Sequence, residues 1–310
     1  MKSTLLLVSA LIISFFAQAQ EIKNDSSAAQ TANSQKVKDA ALSQENLVAS
    51  NQPDLNELSP SDHEKAPSPY KTRFIRDGIV LVSATAVTLA GYALIKNKKD
   101  LTPEELVTKT PDKVPWFDRF AAGNYSAQAN SDSYILFYGA YAVPPVIMLL
   151  NSNERRKFGQ LTVMYVETIG ITGAMYTLAA GLVYRSRPFV YGTKADIGKR
   201  LDKGGQRSFY GGHVATSAAA SFFAARVFSD FNPDSKWRPV IWTGAAILPV
   251  AMAYLRIKSG YHFLSDCIVS YGIGAATGLL IPRWHKTKFM QNLSIVPAPD
   301  KSISLVYRIR

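Results

Sequence analysis

The chain has 310 residues, of which 47% are hydrophobic, so it can bury one large core or two small ones. Its 35 Lys and Arg outnumber 23 Asp and Glu and give a formal net charge of +12, which suits nucleic acid, an anionic membrane surface or a phosphorylated substrate. The single cysteine, Cys267, excludes an internal disulfide and any metal site built from several cysteines.

The N-terminus has the pattern of an export signal. Lys2 precedes an uncharged apolar run over residues 5–16, and Ala17-Gln18-Ala19 is a small-x-small cleavage site. The apolar run is shorter than the roughly 20 residues of a spanning helix. A cleaved signal peptide at residues 1–19 is therefore favoured, and an uncleaved anchor is the alternative. Either form brings the chain into the cell envelope, so nucleic acid is the least favoured partner.

Residues 20–72 are rich in Ser, Ala, Asn, Gln and Lys, and this composition predicts a flexible polar tether. Six apolar segments follow, each longer than an ordinary strand and rich in Ala, Leu and Met, which predicts helices. These segments are 78–95, 133–150, 158–184, 211–225, 239–255 and 267–281.

The fold class expected from these segments is all-α, a bundle of about six apolar helices. The first three segments are long enough to cross a bilayer and the last three are at the boundary, so the prediction is an integral inner-membrane protein rather than a soluble periplasmic one. Residues 115–120 place aromatics beside charges, as in an interfacial helix or a plain surface helix. Alternating residues in the 286–310 tail predict a short hairpin.

A basic loop follows the third segment. It begins at Arg185-Ser186-Arg187-Pro188 and runs to Arg207 with four more cations, at positions 194, 199, 200 and 203. Arginine forks bind phosphate oxygens bidentately, so this loop is a candidate phosphate site. The alternative is the positively charged loop that marks the cytoplasmic side of a membrane protein.

Two histidines stand in motifs. His213 follows Gly211-Gly212 at the start of the fourth segment, where paired glycines and helix amides can approach an anion, although a lone histidine there is often only a cap. His262 and Asp266 are four residues apart, so on a helix they share a face, and the carboxylate would orient the imidazole. The other two histidines, His63 in the tether and His285 in a basic run, are expected to be solvated.

These three clusters, in this order, resemble the type 2 phosphatidic acid phosphatase superfamily, which includes vanadium haloperoxidases and bacterial acid phosphatases. Its signature is Lys, six residues, Arg-Pro; then Pro-Ser-Gly-His; then Ser-Arg, five residues, His, three residues, Asp. The matching positions are Arg187-Pro188, Gly212-His213, Arg256, His262 and Asp266. The resemblance implies a helical catalytic domain, which we bound at 73–285.

This chain departs from the signature at four positions. The lysine of the first motif falls on Ala180, the Pro-Ser of the second on Tyr210-Gly211, and the serine of the third on Leu255. Arg185 is the expected substitute for the lysine.

The resemblance also implies a mechanism. Arg187, Arg256, Arg185 and the Gly212 amide would hold the phosphate of a phosphomonoester or diphosphate, and a substrate linked to a lipid or polyprenyl chain is favoured. His262 would attack it to give a phosphohistidine, and Asp266 would stabilise the imidazolium. His213 would act as acid and then as base. No metal or cofactor is implied.

Two alternatives stay open from the sequence. A vanadate-dependent haloperoxidase would bind vanadate in the same pocket. A membrane protein could instead bind lipid phosphates without cleaving them, given Ala180 and Gly211. The substrate, the side of the membrane and the oligomeric state are not fixed by the sequence.

Overall fold

A computed structural model of the chain describes residues 68–286, 293–297 and 303–307. Within these ranges the chain is mostly helical. In chain order the helices are α1 Phe74–Lys96, α2 Pro103–Val107, α3 Ala127–Leu150, α4 Ser152–Arg155, α5 Phe158–Leu182, α6 Ile197–Leu201, α7 Gly212–Phe231, α8 Arg238–Lys258 and α9 Leu264–His285. The strands β1 Leu293–Pro297 and β2 Ile303–Tyr307 pair antiparallel.

The number of helices differs from the prediction. The six long helices α1, α3, α5, α7, α8 and α9 correspond to the six apolar segments, and three short helices bring the described total to nine. The short helices have only four or five residues each, too few to show an apolar period, and α2 and α4 begin at side-chain caps. In α2, for example, the Thr102 hydroxyl accepts from Glu105 N while the Glu105 carboxylate accepts from Thr102 N. Apolar periodicity therefore could not reveal them.

Helix α7 lies at the centre of the bundle. It packs against α3, α5, α8 and α9, and α1 packs on the outer side of α5. Close packing of α7 and α9 depends on glycine: a Cβ at Gly274 would lie 2.0 Å from the Ala215 carbonyl oxygen. Most side chains of α7 are accordingly buried, whereas the surrounding helices have exposed faces.

Four helices, α1, α3, α8 and α9, are long and apolar enough to cross a membrane. Large apolar side chains on their outer faces are exposed, including Ile79, Val82, Val146, Val250, Tyr254 and Ile268. The four helices are compatible with an integral membrane protein. The sequence ranked the third segment, now α5, among the long spans, but α5 contains Glu167 and is mostly buried by its neighbours.

The predicted signal over 1–19 and the tether up to residue 67 lie outside the described residues. The last tether residues, 68–72, pack against the bundle. Tyr70 is buried, its hydroxyl donates to Asp230 at 2.7 Å, and Lys71 N donates to the His285 carbonyl at 2.8 Å. The packed part of the chain thus starts before residue 73, because Tyr70 provides an apolar ring that the polar composition around it concealed.

Candidate active site

The first and second motifs are joined by main-chain hydrogen bonds. Ser208 N donates to the Arg185 carbonyl at 2.9 Å, and Arg187 N donates to the Gly205 carbonyl at 2.7 Å. Arg185 and Arg207 also form an isolated parallel bridge. The loop after α5 therefore folds back onto its own start and brings Ser208 beside the arginines.

The third motif forms a tight turn between α8 and α9. Tyr261 N and His262 N both donate to the Arg256 carbonyl, at 3.1 and 3.3 Å. Gly260 has a φ of +80°, and a Cβ there would lie 1.9 Å from the Asn124 carbonyl oxygen. Both conditions require glycine. The turn thus fixes His262 next to Arg256.

The His262 ring is buried with a defined tautomer. Its Nδ1 lies 2.6 Å from the Ser208 carbonyl oxygen, which can only accept, so Nδ1 carries the proton. Burial first, and then the charges of Arg256 and Arg187, hold the pKa of His262 well below its ordinary value. The ring is therefore neutral near pH 7 and its Nε2 has a free lone pair, as a nucleophile needs.

Asp266 does not orient His262 directly. The expectation that the two share a helical face is wrong, because His262 precedes α9, which starts at Leu264. The Asp266 carboxylate instead accepts from the Ser208 hydroxyl at 2.6 Å, accepts from Phe263 N at 2.9 Å and pairs with Arg185. Ser208 links the two residues, with its hydroxyl on Asp266 and its carbonyl on His262.

Arg185 is held by carboxylates. One of its terminal nitrogens donates to Asp266 and to the Ser265 hydroxyl, and the other donates to Asp118 at 2.6 Å. Asp118 is fully buried and also accepts from Ser265 N at 3.0 Å. Two carboxylates thus neutralise Arg185, and these contacts favour a positioning role for it over the expected role as the substitute for the missing lysine.

Lys98 is better placed than Arg185 to substitute for the lysine missing from the first motif, and the sequence did not single it out. Its ammonium donates to the carbonyls of Val183 and Gln206, at 2.6 and 3.1 Å, and only 4% of the residue is exposed. Burial, then the neighbouring charges of Arg207 and Arg187, lower the pKa of Lys98 to about 8. Lys98 comes from the end of α1, far from any motif, so no spacing could have revealed it.

Arg187 and Arg256 lie on the same aromatic ring. Their guanidinium carbons are 4.6 and 4.3 Å from the centroid of Tyr261, and both arginines are buried. Arg256 also donates to the Asn130 side-chain oxygen at 2.8 Å and to the Ser133 hydroxyl at 3.1 Å. Two cations are thus preorganised where water is largely excluded, which strengthens their attraction for an anion. Tyr261 lies directly before His262, so its position could have suggested this role.

His213 is the second residue of α7. Its ring centroid lies 4.4 Å from that of Phe137, and its Nε2 is buried with no hydrogen-bond partner among the described residues. The groups that act on this ring electrostatically are Arg256, His262 and Arg187. The second histidine is thus close to the same arginines as the first.

The glycines of the second motif lie against His262. Gly211 N donates to the Ser270 hydroxyl at 2.7 Å, and a Cβ at Gly211 would lie 3.4 Å from the His262 ring. Gly212 begins α7, where the first-turn amides have no helical partner and can bind an anion. The motif backbone therefore closes one side of the pocket.

A helical bundle that gathers two buried imidazoles and two guanidinium groups at one end has the components of a binding and transfer site for a tetrahedral oxyanion. All of these residues lie within residues 161–290, which match the family model of the PAP2 superfamily. This match supports the superfamily that the motifs predicted, which suggests a phosphoester hydrolase in general terms. No curated protein and no solved structure matches the chain.

Proposed function

We propose that the protein is a phosphatase that hydrolyses a phosphomonoester or diphosphate through a phosphohistidine on His262. The observation that carries this proposal is the neutral, buried His262 ring, whose Nδ1 is bound to the Ser208 carbonyl and on which the charges of Arg256 and Arg187 act. A neutral imidazole beside guanidinium groups suits attack on a phosphate anion, because the nucleophile is unprotonated while the target is held by cations.

In the first step the Nε2 lone pair of His262 forms a bond to phosphorus as the bond to the leaving oxygen breaks. Arg187, Arg256 and the amide of Gly212 stabilise the charge on the equatorial oxygens. His213, protonated when substrate is bound, donates its proton to the leaving oxygen. Ser208 and Asp266 keep the His262 ring oriented while it becomes positively charged.

In the second step His213, now neutral, accepts a proton from water as the water oxygen attacks phosphorus. The bond between phosphorus and Nε2 of His262 breaks, inorganic phosphate leaves, and both rings return to their starting states. No metal ion takes part in either step. Lys98 adds a third positive charge near Arg187.

A lipid-linked substrate fits the rest of the molecule best. The four apolar helices support an envelope protein integral to the inner membrane, and the site lies at the ends of the helices α5, α7, α8 and α9, where a headgroup would reside. Phosphatidate, phosphatidylglycerophosphate, undecaprenyl diphosphate, lipid A phosphates and small phosphomonoesters are the candidates to compare.

Phosphate release by the full chain in detergent, measured across that panel with and without His262→Ala, tests the proposal. The variant should lose turnover by at least about 10⁴-fold, as removal of a nucleophile does, while its thermal unfolding stays cooperative. Retained activity in His262→Ala would reject His262 as the nucleophile.

The same preparation separates the alternatives. Halide oxidation after addition of vanadate, without phosphate release from any substrate, would indicate a haloperoxidase. Tight binding of lipid phosphates without release of phosphate would indicate a non-catalytic binding protein.

A further inference from the structure

A second cluster of ionisable side chains lies at the other end of the bundle. Asp77 is in the first turn of α1, Glu167 is on α5, and His285 is the last residue of α9. His285 was expected to be solvated because of the basic residues around it, but it is 1% exposed, and Glu167 is fully buried. Three ionisable groups from three helices are thus brought together inside the protein.

The His285 ring presents a lone pair to this cluster. Its Nδ1 lies 2.9 Å from the Ile281 carbonyl oxygen, an acceptor, so Nδ1 carries the proton of the neutral ring. Nε2 then faces a Glu167 oxygen at 3.1 Å and an Asp77 oxygen at 3.6 Å. Three atoms with lone pairs converge, which is repulsive unless a cation lies between them.

The hydrogen bonds of the described residues do not satisfy the cluster. Neither oxygen of Glu167 nor Nε2 of His285 has a hydrogen-bond partner there, although two of these atoms are only 3.1 Å apart. Asp77 is already compensated by Arg76, at 2.7 Å, and by Arg73 N, at 2.6 Å. Among the described residues, Glu167 has no arginine or lysine at ion-pair distance, and a buried carboxylate without hydrogen bonds is costly.

A proton on His285 Nε2 would satisfy the cluster only in part. It could satisfy one Glu167 oxygen at most and would leave the other without a partner. A metal ion accepts all three lone pairs at once. One ligand atom from each residue lies within 4.8 Å of the others, and ligands of a tetrahedral zinc ion are about 3.4 Å apart.

We propose that Asp77, Glu167 and His285 bind a divalent transition-metal ion of the zinc class. One imidazole nitrogen and two carboxylates form a mixed donor set that favours such an ion over calcium or magnesium. The bond from Nδ1 to the Ile281 carbonyl is the contact that orients a metal-bound histidine. The ion would tie α1, α5 and α9 together.

This site is separate from the histidine pocket. His285 and Asp266 are at opposite ends of α9, roughly 28 Å apart along the helix axis at 1.5 Å per residue. The ion therefore has no access to the reacting phosphate, and its expected role is to stabilise the bundle.

Metal content after reconstitution tests the proposal. The full chain, purified in detergent with a tag that lacks histidine, is stripped with a chelator, incubated with Zn²⁺, dialysed and measured by mass spectrometry of the metal. We expect about one zinc ion per chain. Glu167→Gln and His285→Gln should each lose it, whereas His262→Ala and Glu105→Gln, on exposed α2, should keep it.

Two further measurements guard against variants that fail to fold. Zn²⁺ should raise the unfolding temperature of the unmodified protein and leave that of Asp77→Asn unchanged. Co²⁺ should give a visible absorption band in the unmodified protein that His285→Gln removes. An unmodified protein that retains no zinc would overturn the proposal, as would Glu167→Gln and Asp77→Asn proteins that both retain as much zinc as the unmodified protein.

Discussion

The two ends of the bundle each bury a histidine whose Nδ1 faces a backbone carbonyl, from Ser208 in one case and Ile281 in the other. In both rings the lone pair is on Nε2. The charges around the rings have opposite signs: arginines act on His262, and carboxylates lie beside His285. We infer that the neighbours of a buried imidazole, and not the ring itself, decide whether it is suited to attack an anion or to bind a cation.

Removal of the arginines at the His262 end should have the largest effect on catalysis. Arg187→Ala and Arg256→Ala should each lower kcat/KM roughly 10² to 10³-fold, because each loses a preorganised donor to the phosphate oxygens. The measurement is steady-state phosphate release. Arg226→Ala is the matched control, since Arg226 pairs with Asp230 near the far end of α7. An equal loss in all three variants would mean that the arginines act on folding rather than on the phosphate.

The link from Asp266 to His262 should have an intermediate effect. Asp266→Asn and Ser208→Ala should each lower kcat at least about 10 to 100-fold, the range known for hydrogen-bond partners that orient metal-bound histidines. Because Ser208→Ala removes this hydrogen bond and Asp266→Asn removes the charge of its acceptor, the double variant should lose little more than the worse single variant. Additive losses in this double-mutant cycle would show that Asp266 acts independently of Ser208.

Removal of the Lys98 charge should have the smallest effect. It should raise KM about tenfold, as expected for the loss of one charge near the phosphate. With a pKa of about 8, Lys98 loses its charge as the pH rises through that value, so KM should rise above pH 8. Lys98→Met should remove this alkaline limb, and Lys98→Arg, which stays charged, should shift it beyond the measured range. An unchanged pH profile in Lys98→Met would exclude Lys98 from the site.

The sequence was sufficient for the long helices and for the motif residues near their ends. Each long helix is an apolar run of at least four turns, and such runs carry their own signal. The sequence also predicted the superfamily. The spacing from Arg256 to His262 and Asp266 lies within one short segment, so it can be read directly from the sequence.

Contacts between distant segments could not be predicted in the same way. Asp118 meets Arg185 across 67 residues, and Lys98 meets the Gln206 carbonyl across 108. The burial of His285 depends on α1 and α5, which the basic residues around it do not reveal. Residues four apart share a face only inside a helix. The prediction that His262 and Asp266 do so was wrong because α9 starts between them.

The most direct test of the proposed reaction is the capture of the phosphoryl group on the protein. His213→Ala, mixed with ³²P-labelled p-nitrophenyl phosphate and quenched in alkali, should accumulate protein-bound phosphate, since this leaving group needs no acid but water still needs a base. The label should be stable in alkali, labile in acid and located on the peptide that contains His262. No bound phosphate, or a label on any other residue, would contradict the account.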